Sequence, residues 1–160
     1  MRAATHLGLS FEEMLLRLGV AALVGMILGI DREMKGISAG LRTHALVSLS
    51  SAAITYSALQ LHVELSADGS SSTDPLRVIQ GLAQAIGFIA AGLIFVTKGG
   101  VQNVTSAANL WLATAVGIAS GAGQYRLVAV TTAIGVLLLT AMRVAERWLP
   151  KAPTPEADED

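Results

Sequence analysis

Five apolar blocks, each about 18 to 22 residues long and joined by short polar stretches, limit what this chain can fold into. About 20 helical residues at a rise of about 1.5 Å cover the hydrocarbon core of a bilayer. Composition points the same way. Of 160 residues, 52% are hydrophobic and 14% charged, where soluble domains carry about a quarter charged. The apolar residues fill whole blocks and do not form one-sided stripes, so most helix faces must meet lipid or other helices. A net charge of −1 offers nothing to a nucleic acid. The lack of cysteine excludes disulfides and thiolate metal sites.

Taken in order, the chain predicts five helices. Helix one covers 11–30, with Ser10 as its cap and Glu13 at the capping-box position. Glu12 and Glu13 precede its apolar run, unlike the basic lead of a secretory signal, so this run should stay in the membrane. Gly25 and Gly29 form a small-xxx-small face that admits a second helix closely. A charged hinge follows over 31–42, where Gly36 and Gly40 favour a re-entrant turn or short interfacial helix. Helix two covers 43–61 and begins with His44 in its first turn. A flexible polar loop covers 62–74.

Asp74-Pro75 is a helix start, with Asp as cap and Pro at the first helical position. Helix three covers 75–96, with Arg77, Gln80 and Gln84 on one face and Gly87 and Gly92 thinning others. A short turn over 97–103 leads to helix four, 104–121, where Gly117 and Gly121 repeat the glycine spacing. Helix five covers 127–148. The Pro-rich acidic stretch 149–160 should be a disordered cytoplasmic tail behind a membrane domain of residues 1–148.

Orientation follows from the basic residues near the helix ends. Arg32, Lys35, Arg42, Lys98, Arg143, Arg147 and Lys151 fall on the hinge side; Arg2, Arg17, Arg77 and Arg126 fall on the other. Seven against four places the N-terminus outside and the C-terminus inside.

Ionisable groups at membrane depth need partners or a function. Arg42 should pair with Asp31 or Glu33 across the hinge. The sharper reading makes Asp31 and Glu33 an ion or effector site, since Mg²⁺ takes carboxylates and keeps several waters. His44 is either a helix-end donor or a proton-sensing group. Gln80 and Gln84 inside an apolar helix should face protein or water, bonding to Asn109 or Thr114 of helix four or lining a polar path. No nucleophile–base constellation, metal motif or phosphate loop reads as an enzyme signature.

Three blocks resemble the MgtC/SapB family of bacterial inner-membrane proteins. They are GIDREMKGISAGLRTHALV (29–47), DPLRVIQGLAQAIGFIAAG (74–92) and VTSAANLWLATAVGIASGAG (104–123). The family patterns are an acidic residue, Arg and Glu followed by AGLRTH, then DPxR with a glycine-rich core, then TTAAxLW. Matching positions include Asp31, Arg32, Glu33, Arg42, Thr43, His44, Asp74, Arg77, Asn109 and Trp111. The chain departs from the patterns at Asp31, often Glu; at Ala85 and Ala90, often Gly; and at Ser106, usually Thr.

The resemblance implies a multi-pass inner-membrane protein linked to magnesium limitation, acid resistance or survival inside host cells. It implies a regulatory, non-enzymatic role acting on other membrane machinery, including the F-type ATP synthase, with transport of Mg²⁺ or another cation as the rival. Larger members continue into a soluble C-terminal domain, so the chain is expected to be a short or truncated form. The lipid bilayer, a second copy of the chain in a homodimer and another membrane protein are the expected partners. No cofactor is expected; Mg²⁺ is the one candidate, at Asp31 and Glu33.

Overall fold

The computed structural model describes residues 10–67, 74–97 and 100–148. Five helices dominate it: α1 (Phe11–Met34), α2 (Leu41–Ala67), α3 (Leu76–Leu93), α4 (Val104–Gly121) and α5 (Tyr125–Trp148). Two short strands, β1 (Phe95–Thr97) and β2 (Gly100–Gln102), separate α3 from α4.

Ser10 caps α1 as its spacing predicts, its hydroxyl accepting from the Glu13 N–H at 3.2 Å. The helix does not stop at Ile30. It continues through Asp31, Arg32 and Glu33, because charged residues at an interface are no obstacle to helix. It ends at a Schellman motif: the Gly36 N–H donates to Glu33 and the Ile37 N–H to Arg32, with Gly36 left-handed at φ +61°. The expected hinge is therefore only the connection over 35–40.

The second helix also outruns its expected end. Residues 62–67, read as loop, are helical, since no glycine or proline interrupts them. The rest of that loop, and the acidic tail, lie outside the described residues. The third helix ends at Leu93, three residues short of the predicted Val96. Antiparallel pairing takes over there, with Phe95 opposite Gln102 and Thr97 opposite Gly100. Asn103, left-handed at φ +64°, donates its side-chain amide to the Leu93 carbonyl at 3.2 Å and so ties the end of α3 to the start of α4.

Helices α1, α2 and α4 form the centre. The second runs antiparallel to the first, with His44 and Ser48 against Gly25 and Leu41 against Gly29. The fourth runs antiparallel to α1 and parallel to α2, with Ser48 against Gly117 and Ala52 against Gly121. Four of the expected packing glycines are thus occupied within the chain. A methyl group on Gly25 would lie 2.6 Å from the His44 carbonyl oxygen, and one on Gly29 would lie 2.7 Å from the Leu41 Cα. Gly117 and Gly121 meet the backbone carbonyls of Ser48 and Ala52 as closely. The other two behave differently. Gly92 has open space beside it, and a methyl group on Gly87 would meet only the edge of the Trp111 ring, at 4.0 Å. Leu28, Ala113, Val116, Ala119 and Val128 fill the core between these contacts.

Four of the helices are long and apolar enough to cross a membrane: α1, α2, α3 and residues 125–142 of α5. The fourth helix is not among them. Eleven of its eighteen residues are buried, including Ser106, Asn109, Thr114 and Ser120. A helix enclosed by protein can carry polar groups that a lipid-facing helix cannot. The third helix lies at the edge, against α4 and part of α2, leaving an apolar cleft of about 250 Å³ beside Val47, Ser51, Leu82 and Ile86.

Candidate functional site

The charged residues at the end of α1 gather around one helix end. Asp31 and Arg32 are buried, at 8% and 7% exposure. The Asp31 carboxylate lies 3.4 Å from the Lys35 ammonium, one turn on, and 3.9 Å from the Arg32 guanidinium. Cations in the last turn also meet the negative end of the helix dipole. Glu33 turns the other way and is exposed. Its carboxylate accepts from the Leu41 N–H at 3.0 Å, capping the first turn of α2. Gly40 is needed directly beneath that carboxylate, because a Cβ there would collide with it.

This differs from the expected hinge pairing. Arg42 is exposed and forms no ion pair among the described residues. Asp31 takes Lys35 and Arg32 instead, because α1 remains helical and places Lys35 at i+4. The same helicity separates the two carboxylates expected to share an ion. Positions i and i+2 point to different faces, so Asp31 faces inward and Glu33 faces the α2 start. Among the described residues, no three His, Asp or Glu side chains come together.

His44 is fully buried one turn into α2. Its Nδ1 lies 3.0 Å from the Gly40 carbonyl, so a proton on that nitrogen completes a helix-end bond. Asn109 enters from α4 at the same end of the core and donates to the Leu28 carbonyl at 2.8 Å. The His44 Nε2, Ser48 Oγ, Ser106 Oγ and Asn109 Oδ1 atoms are sealed from solvent without a hydrogen-bond partner among the described residues. The junction of α1, α2 and α4 is thus a compact polar core with unused capacity to accept hydrogen bonds.

The third helix carries a separate set. Asp74 accepts from the Leu76 N–H at 2.9 Å, one residue earlier than a conventional cap, and α3 begins at Leu76. Arg77, Gln80 and Gln84 are all exposed. Neither glutamine bonds to α4 as expected, since both lie on the exposed face of α3; Asn109 donates to Leu28 and Thr114 to Leu110 within its own helix at 3.0 Å. The face of α3 that meets α4 is carried by Ile86 and Ala90, both buried.

At the opposite end of the bundle the structure assembles a polar clamp that sequence reasoning treated only as interfacial charge. Arg17 bonds Glu13 at 2.9 Å and donates to the Gly121 carbonyl at 2.9 Å, holding the C-terminal end of α4. Ser120 donates back to the Arg17 carbonyl at 2.7 Å, and the Tyr125 hydroxyl reaches Glu13 at 3.3 Å. The guanidinium also lies 5.8 Å from the centre of the Tyr56 ring. Gly123, at φ +75°, leaves room for it. The one sequence signal was the i,i+4 spacing of Glu13 and Arg17.

Apolar helices of membrane length, packed around backbone-close glycine contacts and carrying buried polar groups at both ends of the core, define a polytopic helical membrane protein. This one belongs to the MgtC family, whose sequence model matches residues 18–148. It is 32% identical to protein SrpB of Synechococcus elongatus over 96% of this chain and 92% of that protein. It is 36% identical to protein MgtC of Brucella abortus over 79% of this chain and 51% of that protein. A third relative, YhiD of Escherichia coli K12, named as a candidate magnesium transporter, is 33% identical over 72% of this chain and 54% of that protein. The chain therefore spans nearly all of SrpB and about half of the other two. No solved structure matches it.

Proposed function

We propose that this chain is a non-enzymatic protein of the bacterial inner membrane that serves magnesium homeostasis and stress survival by regulating other membrane machinery, such as the F-type ATP synthase. It acts through helix contacts, as a body with five crossings, its N-terminus outside and its C-terminus inside. The observation that carries this reading is the separation of the polar groups. Gln80 and Gln84 face away from the core, whereas Asp31, His44 and Asn109 lie within it, so the groups a cation path would need do not share one passage. The centre itself is closed by backbone contacts at Gly25, Gly117 and Gly121.

Five crossings are supported by α4, which lies antiparallel to α1 from the level of Arg17 to that of Leu28. In that topology a cysteine replacing Ser66 labels from outside intact cells and one replacing Ser38 labels only after permeabilisation. The reverse pattern would invert the assignment.

The rival reading, transport of Mg²⁺ or another cation, is favoured by the name of the relative YhiD. Purified protein in liposomes holding a Mg²⁺ indicator separates the two. Under a gradient and a membrane potential, the folded, monodisperse protein is expected to give no flux above empty liposomes. Saturable flux that disappears in Asp31→Asn would make it a transporter.

A further inference from the structure

The outward face of α3 poses a problem that one copy of the chain does not solve. Arg77, Gln80, Gly81, Gln84 and Phe88 recur at three- and four-residue intervals, and all are exposed. Phe88, at 83%, is exceptionally bare for a large side chain. Gln84 is the ninth residue of an eighteen-residue span, about 12 Å along the axis from either end at the rise of an α-helix. That depth is the middle of a bilayer, out of reach of interfacial water. The two amides have no hydrogen-bond partner among the described residues, and hydrocarbon supplies none.

We propose that this face of α3 is the seat of a second copy of the same chain, related by a two-fold axis along the membrane normal. The amide identifies the partner. A primary amide donates and accepts at once, so Gln80 and Gln84 meeting their own copies satisfy both functions of each. Gly81 lies between them with open space beside it and lets the two backbones approach. The end of the stripe is complementary too. Asp74 and Arg77, both exposed and three residues apart, make no ion pair with each other. Each copy brings one Asp74 and one Arg77 to this end of the contact, so the charges there sum to zero. The glycine faces of α1 and α4 are consumed within the chain and leave this contact to α3. The inference stands whether the protein regulates or transports.

The chain has no cysteine, so single-cysteine variants report one position each. Oxidative cross-linking in native membranes should give a band of twice the chain mass from Gly81→Cys, Gln84→Cys and Phe88→Cys. Leu82→Cys and Ile86→Cys, which line the cleft toward α2, should give none. In micelles, Gln80→Leu with Gln84→Leu should weaken self-association about tenfold or more while helicity is retained. A wild-type protein that stays monomeric in membranes overturns the proposal. So does cross-linking through the cleft positions, or cross-linking from the stripe only to a different protein. Should the double variant fail to fold, the cross-linking pattern still decides.

Discussion

The side-chain amide of Asn109 in α4 donates to the backbone carbonyl of Leu28 in α1 across 2.8 Å, with both groups inside the core. That bond fixes the register of two antiparallel helices whose other contacts are mostly small apolar residues. Asn109→Leu keeps the branched shape, at a larger volume, and loses the bond, and should cost about 0.5–1.5 kcal/mol, the range of interhelical bonds in membranes. Asn109→Asp should cost more, because a carboxylate cannot donate to a carbonyl and would be buried as an unpaired charge. Reversible unfolding in mixed micelles measures both. Wild-type stability in Asn109→Leu would remove the bond from any structural role.

The glycines divide by what surrounds them. Gly25→Ala should destabilise by about 1–3 kcal/mol, since its methyl group would press on the His44 carbonyl and Ala45 Cα. Gly19→Ala, on the same helix with nothing within 4 Å, should be neutral or stabilise by up to about 1 kcal/mol through helix propensity. The pair is read by the same unfolding assay. A loss at Gly19 as large as that at Gly25 would show that steric closeness is not the cause.

Glu33 is placed as a cap. Glu33→Ala should cost about 0.5–2 kcal/mol by leaving the Leu41 N–H without its acceptor. Glu33→Gln retains a carbonyl oxygen at the same reach and should recover much of that. Hydrogen exchange at the first turn of α2 is the local readout, and should speed up in the alanine variant alone.

Arg17 holds α1 to the end of α4 and lies over the Tyr56 ring. Arg17→Lys keeps the charge but loses the planar fork, so it should destabilise the bundle by about 1–2 kcal/mol. If lysine substitutes without loss, the contact to Gly121 contributes little. Thermal unfolding of the two proteins in the same detergent settles the comparison.

Much of the fold is legible in the sequence because membrane-length apolar runs leave few alternatives. The bounds of α4 and the Ser10 cap follow directly from Val104 to Gly121 and from the Ser-x-x-Glu spacing. The family likeness rests on residues that stand in order and spacing, and residues 18–148 match the family model. The rest depends on partners that periodicity does not name. The hinge is expected from Asp31 onward, where the charges begin, yet those charged residues are helical and α1 ends only at Met34, before the left-handed Gly36. Gln80 and Gln84 mark a polar face, but only the packing of Ile86 and Ala90 against α4 reveals that this face points outward. The strands after α3 are three residues each, too short to show an alternating pattern.

The groove on α2 that accepts Gly117 and Gly121 has a consequence for biosynthesis. The ribosome finishes α1 and α2 long before it reaches α4, and residues 104–121 complete the seal. Until they arrive, the Ser48 and Ala52 stretch of the nascent hairpin has no close neighbour from this helix. The α1–α2 pair is therefore made with that seam open, and the core closes only once residues 104–121 have been added.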